Sequence, residues 1–352
     1  MIKDITFRHK ALFIFYSLLF FLNFSNIALG SPFQNDISFY GKTMGTYYSV
    51  RIVSADHINK VTLKQGVDVC LKMVNKSMSC FMQNSEISRF NRTGADRIFK
   101  ISNDFYRVML QSEKLFKLTK GAWDGTVKPL VDIWGFGTAG DSDKIPDKNK
   151  IFKLLDQTGF DKIIIGKSTL LKKKASVTLD LASIAKGYGV DSVSRYLKNS
   201  GFKNFVVDIG GEVYASGEKK YAHPWIVGIS RPDESVFSRP PLYMKIKLKN
   251  KAIATSGDYR NYFKVKGKIF SHIIDPVTGY PINNGVVSAS VIASDCTFAD
   301  GLATALMVMG HKKGLALVNR LKNVDCMIIV KHKNGNLKSF ESDNFKKNVL
   351  IF

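Results

Sequence analysis

Ser271 to Pro281 reads SHIIDPVTGYP, and the run TSGDYR (Thr255 to Arg260) leads into it. A histidine, an aspartate locked before a proline and a Thr-Gly turn fall within eight residues, His272 to Gly279, between two strand-like segments. That is more polar and turn-forming chemistry than a plain hairpin needs, and the stretch reads as a site.

Three other stretches carry chemistry. In DLASIAKGYGVD (Asp180 to Asp191) a helix opens directly after Asp180. Its free amides and positive dipole end suit a phosphate, with Lys186 one turn in. Equally, Asp180 can simply cap the helix while Lys186 is solvated, and these residues alone do not choose between the two. In CTFADGLATALMVMG (Cys296 to Gly310) an otherwise apolar helix carries Asp300 and Thr304 four residues apart, on one face. A carboxylate and a hydroxyl there suit a hard ion such as magnesium. Against this, Thr297-x-x-Asp300 resembles a capping box and Thr304 can bond back to its own helix, so on this helix alone the structural reading prevails. GAWDGTVKPLVDIWGFG (Gly121 to Gly137) mixes tryptophans, aspartates and glycines as few plain elements do. Its end supplies a G-x-G-x-x-G match at Gly135 to Gly140, but the charged, Pro146-containing segment that follows is no helix start, so the match is treated as chance in a loop.

The elements that must position these residues alternate. ISFYGKTMGTYYSVRIV (Ile37 to Val53) reads as two strands around a Thr-Met-Gly turn, and helices are expected over about Lys60 to Cys80 and Asn103 to Lys120. Between them FMQNSEISRFN (Phe81 to Asn91) reads as a polar loop, in which Phe81 either stacks on a ring or plugs the core. KIIIG, TLLKKK and SVTLD, within Asp161 to Asp180, read as short strands, and the Asp180 helix runs to about Ser200 with Ile184, Tyr188 and Val193 inward. NFVVDIGGEVYASG (Asn204 to Gly217) reads as a hairpin turning at Gly210-Gly211, where Asp208 and Glu212 are a hint and no more. Further strands follow near Trp225 to Ser230, Tyr243 to Leu248, Ala252 to Thr255 and Val286 to Ala293. Alternation without regular βαβ units implies an α+β fold with a largely antiparallel sheet and packed helices.

Taken in order, TMGTYYSV, MSCFMQNSEISRFN, GAWDGTVKPLVDIWGFG, DLASIAKGYGVD, DIGGEVYASG, AIATSGDYRNYF, SHIIDPVTGYPI and ADGLATALMVMG resemble the ApbE family, the FAD:protein FMN transferases. The resemblance runs from about Phe39 to about Val330. It implies an ApbE-like α-β roll and a Mg2+-dependent enzyme that takes FAD as substrate outside the cytoplasmic membrane. The FMN half goes to a threonine or serine hydroxyl of an acceptor flavoprotein, such as subunits of sodium-pumping NADH:quinone reductase or Rnf-type complexes, and AMP leaves. Carried over, Met44, Phe81, Ala122, Trp123, Asp124, Asp180, Lys186 and Ile274 fall on flavin- or nucleotide-binding positions. The metal positions fall on Ser183 and Ala303, through backbone oxygens, and on Asp300 and Thr304 through side chains. With the resemblance in hand, the metal reading of Asp300 outweighs the capping box, and His272 becomes the candidate base for the incoming hydroxyl. Phe81 stands where the family often has tyrosine, Trp123 where phenylalanine is common, and Lys128 where a small residue is frequent. The rival readings are a Mg2+-dependent FAD pyrophosphatase, using the same contacts with water as nucleophile, and a non-catalytic exported FAD-binding protein.

The 352 residues allow one large domain, taken as 31–352 after a leader at 1–30. That leader has Lys3, Arg8 and Lys10, then an uncharged apolar run from Ala11 to Phe24, then Ala28-Leu29-Gly30: a signal peptide or an uncleaved anchor, in either case placing the remainder on the periplasmic side. No cysteine lies near the expected cleavage point, so an acylated start is not expected. Of the +23 net charge the leader carries +2, and the remainder is taken as solvated lysine surface. Lys172 to Lys174 is the only basic triplet and no nucleic-acid-reading motif accompanies it. Cys70 and Cys80, ten positions apart on one helical pattern, would lie about 15 Å apart, too far for a disulfide. Buried free thiols are expected, with Cys296 and Cys326 left open as a pair.

Overall fold

The computed structural model describes residues 35–137, 145–232, 241–258, 262–265 and 268–350. The leader, the second half of the G-x-G-x-x-G match and the last two residues of TSGDYR lie outside the described residues.

Eight segments with alternating or continuous apolar character form one antiparallel sheet. They are β1 (Asn35–Thr43), β2 (Thr46–Ser54), β6 (Asn204–Ile209), β7 (Glu212–Ser216), β10 (Lys251–Gly257), β13 (Val286–Ala293), β14 (Asp325–Lys331) and β15 (Leu337–Glu341), and they lie side by side in that order. The first hairpin turns at Met44 and Gly45, with φ of 47° and 70° between the paired Thr43 and Thr46. Two positive φ values in a two-residue loop match the twist of the flanking strands. The second hairpin turns at Gly210 and Gly211, both also at positive φ, and Asp208 Oδ1 accepts from the Gly211 amide at 2.9 Å.

Strand alternation gives this sheet two apolar faces. One face, with Val50, Ile52, Val207, Ala254, Val291 and Ile328, packs on four helices: α1 (Lys60–Met78), α3 (Asn103–Thr119), α6 (Ala182–Asn199) and α7 (Cys296–Val318). The other face, with Val213, Ile253, Ile292 and Ile329, is covered by Trp225, Ile229, Ile246 and Leu248 of a small sheet made of β8 (Trp225–Ser230), β9 (Leu242–Leu248) and β16 (Val349–Leu350). The architecture is therefore helices, large sheet, small sheet, as expected for α+β. Two further small sheets join β3 (Phe99–Lys100), β4 (Ile163–Gly166) and β5 (Thr169–Lys172), and β11 (Tyr262–Val265) with β12 (Lys268–Ser271). A third buried cluster, Leu130, Trp134, Ile151 and Ile274, seats the short helices α4 (Lys128–Ile133) and α5 (Lys148–Leu155) against the 271–281 segment.

Three expectations need correction. The Phe81 to Asn91 stretch is not loop throughout: Glu86–Asn91 is a helix, α2, because the Ser85 side chain accepts from the Ser88 amide and caps its first turn. SVTLD forms no strand, because side chains take its backbone groups: Lys172 Nζ donates to the Val177 carbonyl, and Asn91 both accepts from the Leu179 amide and donates to the Leu179 carbonyl. The basic triplet is not uniformly solvated either. Lys172 is fully buried, donating at 3.0 Å to the carbonyls of Asn91 and Val177, and burial lowers its pKa. All four cysteines are free, including Cys296 and Cys326.

Candidate active site

Helices α6 and α7 cross with almost nothing between them. A Cβ on Gly187 would lie 2.3 Å from the Cys296 carbonyl oxygen and 2.8 Å from the Asp300 Cβ, so only glycine allows this approach. The contact brings the Gly187 amide to Asp300 Oδ2 at 2.9 Å, the single hydrogen bond that this carboxylate accepts among the described residues. The capping-box alternative for Asp300 does not hold. Asp295 is the N-cap of α7, accepting from Phe298, while the Cys296 and Thr297 amides and the Thr297 hydroxyl go to Asp191 of α6. Asp300 faces across the helix pair instead, 3% exposed.

Lys186, next to Gly187, is half-buried and not left to solvent alone. Its Nζ makes a 2.6 Å ion pair with Oε1 of Glu212, whose side chain is 2% exposed at the start of β7. Burial works against the ammonium, but Asp300 and Glu212 outweigh it and hold its pKa above the ordinary lysine value. Burial raises Asp300, with Lys186 and the Gly187 amide pulling it back. It raises Glu212 as well, helped by repulsion from Asp300 and opposed by Lys186. The other oxygen of Glu212, Oε2, is buried and has no hydrogen-bond partner among the described residues. One turn further along α7, the Thr304 hydroxyl lies 3.0 Å from Ser256 Oγ and 3.5 Å from the Asp300 carbonyl. Ser256 of β10 thus reaches the turn of α7 that follows Asp300.

The N-cap of α6 is Leu181, which makes no side-chain cap; Asp180, one residue earlier, accepts from the Ala182 amide through Oδ1 at 2.8 Å, and burial raises its pKa. Ser183 Oγ accepts from Trp123 Nε1 at 3.1 Å, which fixes the indole against this turn. The Asp124 carboxylate is occupied internally: Oδ1 accepts from the Thr126 amide and hydroxyl, and Oδ2 from the Phe160 amide. What Asp124 shapes is the loop, and Ala122 sits in the same turn, its amide bonded to the Thr119 carbonyl at 3.2 Å. Met44 reaches over from the first hairpin, its terminal methyl within 3.0 Å of where a Cβ on Gly189 would stand. Phe81 is 82% exposed just beyond α1, so it presents an open aromatic face and does not plug the core.

His272 and Ile274 form a second group. The His272 ring stands edge-on to Phe136, with centroids 6.2 Å apart. Ile274 is buried beside Trp134 and bridges to Pro281; the Gly279 amide closes the Asp-Pro turn onto the Asp275 carbonyl, and Trp134 Nε1 braces it by donating to the Gly279 carbonyl at 2.8 Å. The 121–137 segment touches both groups, through Trp123 at Ser183 and through Phe136 at His272. Between them the Lys128–Asp132 pair, at 2.7 Å, acts on Asp180. Glu212, Gly187 and Ser256 were not among the candidate site residues from sequence. A charged residue opening a strand buried at every position was the available signal for Glu212.

No group of three or more His, Cys, Asp or Glu side chains gathers as a metal cluster among the described residues. A cation here would rely on Asp300, the Thr304 hydroxyl and backbone carbonyls, an all-oxygen set suited to a hard ion. In a regular helix the Gly187 amide bonds the Ser183 carbonyl, so its engagement by Asp300 favours that carbonyl as a donor. Ala303 is fully buried and contributes only backbone.

A buried carboxylate, an ion-paired ammonium and a helix N-terminus brought together in one α+β fold are groups that an enzyme for a phosphate-bearing substrate would use. Comparison with known proteins narrows this. Residues 44–328 match the ApbE family. The FAD:protein FMN transferase of Vibrio cholerae is 41% identical over 307 residues, covering 87% of this chain and 90% of the relative. The protein of the same name from Haemophilus influenzae is 39% identical, covering 88% and 91%. Among solved structures, the flavin transferase ApbE from Vibrio cholerae superposes with a TM-score of 0.81 at 38% identity, covering 90% of this chain and all of that one. The flavinyl transferase ApbE of Pseudomonas stutzeri, apo form, gives 0.82 at 33%, covering 91% and 99%. The chain belongs to the ApbE family.

Proposed function

We propose that this chain transfers the FMN moiety of FAD to a threonine or serine hydroxyl of an acceptor flavoprotein, with Mg2+, on the outer side of the cytoplasmic membrane. The observation that carries the chemistry is the Asp300 carboxylate, buried, held by one amide and set one turn from the Thr304 hydroxyl. The relatives' common name supports the reaction, and the charge order of residues 1–30 supports export.

The acceptor hydroxyl oxygen attacks the FMN phosphorus, the bond from that phosphorus to the bridging oxygen breaks, and AMP departs with that oxygen. His272 takes the hydroxyl proton. Lys186 is a fixed cation beside the diphosphate, kept charged by Asp300 and Glu212. Phe81 offers the flavin ring a stacking face, and Met44 and Trp123 shape the walls. Bound by Asp300, Thr304 and the Ser183 and Ala303 carbonyls, Mg2+ would neutralise charge on the diphosphate. The acceptor would be of the kind found in sodium-pumping NADH:quinone reductase or Rnf-type complexes.

The test incubates the chain with FAD, Mg2+ and an acceptor protein bearing an exposed threonine. A fluorescent band with the mass gain of one FMN, dependent on Mg2+ and lost in Asp300→Ala, is the expected result. Free FMN and AMP without a band would make the chain a pyrophosphatase, and intact bound FAD would make it a carrier.

A further inference from the structure

We infer that Glu212 is a positioning residue whose ion pair holds the Lys186 ammonium away from Asp300, so that the Asp300 carboxylate stays available to a divalent cation. The inference rests on the Mg2+ reading above and extends it to a residue outside the expected ligand set.

Lys186 is the chain neighbour of Gly187, whose amide bonds Asp300 at 2.9 Å, yet its ion pair is made to Glu212, at 2.6 Å. Among the described residues Asp300 receives one backbone amide, on Oδ2, and no lysine. Beside a carboxylate as buried as that of Asp300 an unpaired lysine would close onto it, because the attraction between opposite charges grows as water is excluded. Such a contact would occupy the oxygen a cation needs, and metal binding would first have to break it. Glu212 prevents this by offering the ammonium a nearer carboxylate from a rigid place. It is the first residue of β7, directly after the Gly210-Gly211 turn, which Asp208 braces through the Gly211 amide. Among the described residues its Oε2 has no hydrogen-bond partner, so the pair with Lys186 is the contact that this side chain makes there. Its one ion pair fixes Lys186, as outer partners of a metal site orient the groups that touch the metal.

The test titrates Mg2+ alone, without FAD or acceptor, into the full chain and follows heat of binding and thermal shift. Glu212→Gln removes the charge with little change of volume and should weaken Mg2+ binding tenfold or more. The double variant Lys186→Met/Glu212→Gln removes the competitor and should bind within threefold of Lys186→Met alone. Glu212→Gln binding within twofold of the parent overturns the inference. So does a double variant more than threefold weaker than Lys186→Met, because Glu212 would then act on the cation without Lys186. If Glu212→Gln does not fold, the comparison of the two Lys186→Met chains still decides. A parent chain that binds no Mg2+ overturns the metal reading together with this inference, whereas binding unaffected by Glu212 overturns this inference alone.

Discussion

The amide of Gly187 on α6 donates to Oδ2 of Asp300 on α7 at 2.9 Å, and this bond joins the two helices at the buried carboxylate. A methyl group at position 187 would meet the Cys296 carbonyl, which is backbone and cannot swing aside. Gly187→Ala should therefore push the helices apart, lowering stability by about 1–3 kcal/mol in chemical denaturation. Transfer activity should fall far more than this loss of folded protein explains, because Asp300 moves with α7. A variant with parent activity would show that the close approach is not needed for chemistry.

Phe81 separates binding from stability. Being 82% exposed, it contributes little to the fold, so Phe81→Ala should change stability by less than about 0.5 kcal/mol. Loss of a stacking face should weaken FAD binding about tenfold, read from quenching of flavin fluorescence, and Phe81→Tyr should restore it. Unchanged FAD affinity in Phe81→Ala would remove this residue from the flavin site.

His272 is tested by uncoupling binding from proton transfer. His272→Ala should bind FAD within about threefold of the parent and transfer FMN about a hundredfold or more slowly, the usual range for a lost general base. A full transfer rate in the variant would transfer the role of base to another group.

Asp191 makes stability depend on pH. Burial raises its carboxyl to about 6, the Thr297 hydroxyl and the Cys296 and Thr297 amides opposing the shift. A carboxyl raised in the folded state adds stability below its unfolded value, and that contribution is lost as pH climbs through the folded value. Between pH 4.5 and 7.5 the parent should lose about 2 kcal/mol relative to Asp191→Asn, measured by urea denaturation at each pH. Parallel pH profiles for the two proteins would show that Asp191 does not titrate in this window.

Much of the fold was legible because its signals are local. Alternation and turn glycines define the hairpins at Met44-Gly45 and Gly210-Gly211, and the helical spacing of Leu63, Val67, Leu71 and Val74 defines α1. The helix Glu86–Asn91 was hidden because six residues hold too little periodicity to outweigh a polar composition, even with Ser85 as its cap. SVTLD carries strand-like residues and forms no strand, since the distant Asn91 and the nearby Lys172 take the backbone groups that a ladder would use.

The candidate site divides the same way. The sequence determined by itself which groups are available: a histidine before an Asp-Pro turn, a carboxylate and hydroxyl four residues apart on a helix, a lysine one turn into another helix, and the family these motifs resemble. Only the tertiary structure decided what each group faces. It separated Asp300 from the capping pattern of its own helix by giving the α7 amides to Asp295 and Asp191. It turned Asp124 inward onto Thr126 and Phe160, and it set Lys186 between Asp300 and a glutamate that had been only a hint. The reason is physical. Periodicity and turn chemistry act over a few residues, whereas burial and opposite charge depend on groups 26 and 114 positions from Lys186 along the chain, which meet only when the sheet and its helices have packed.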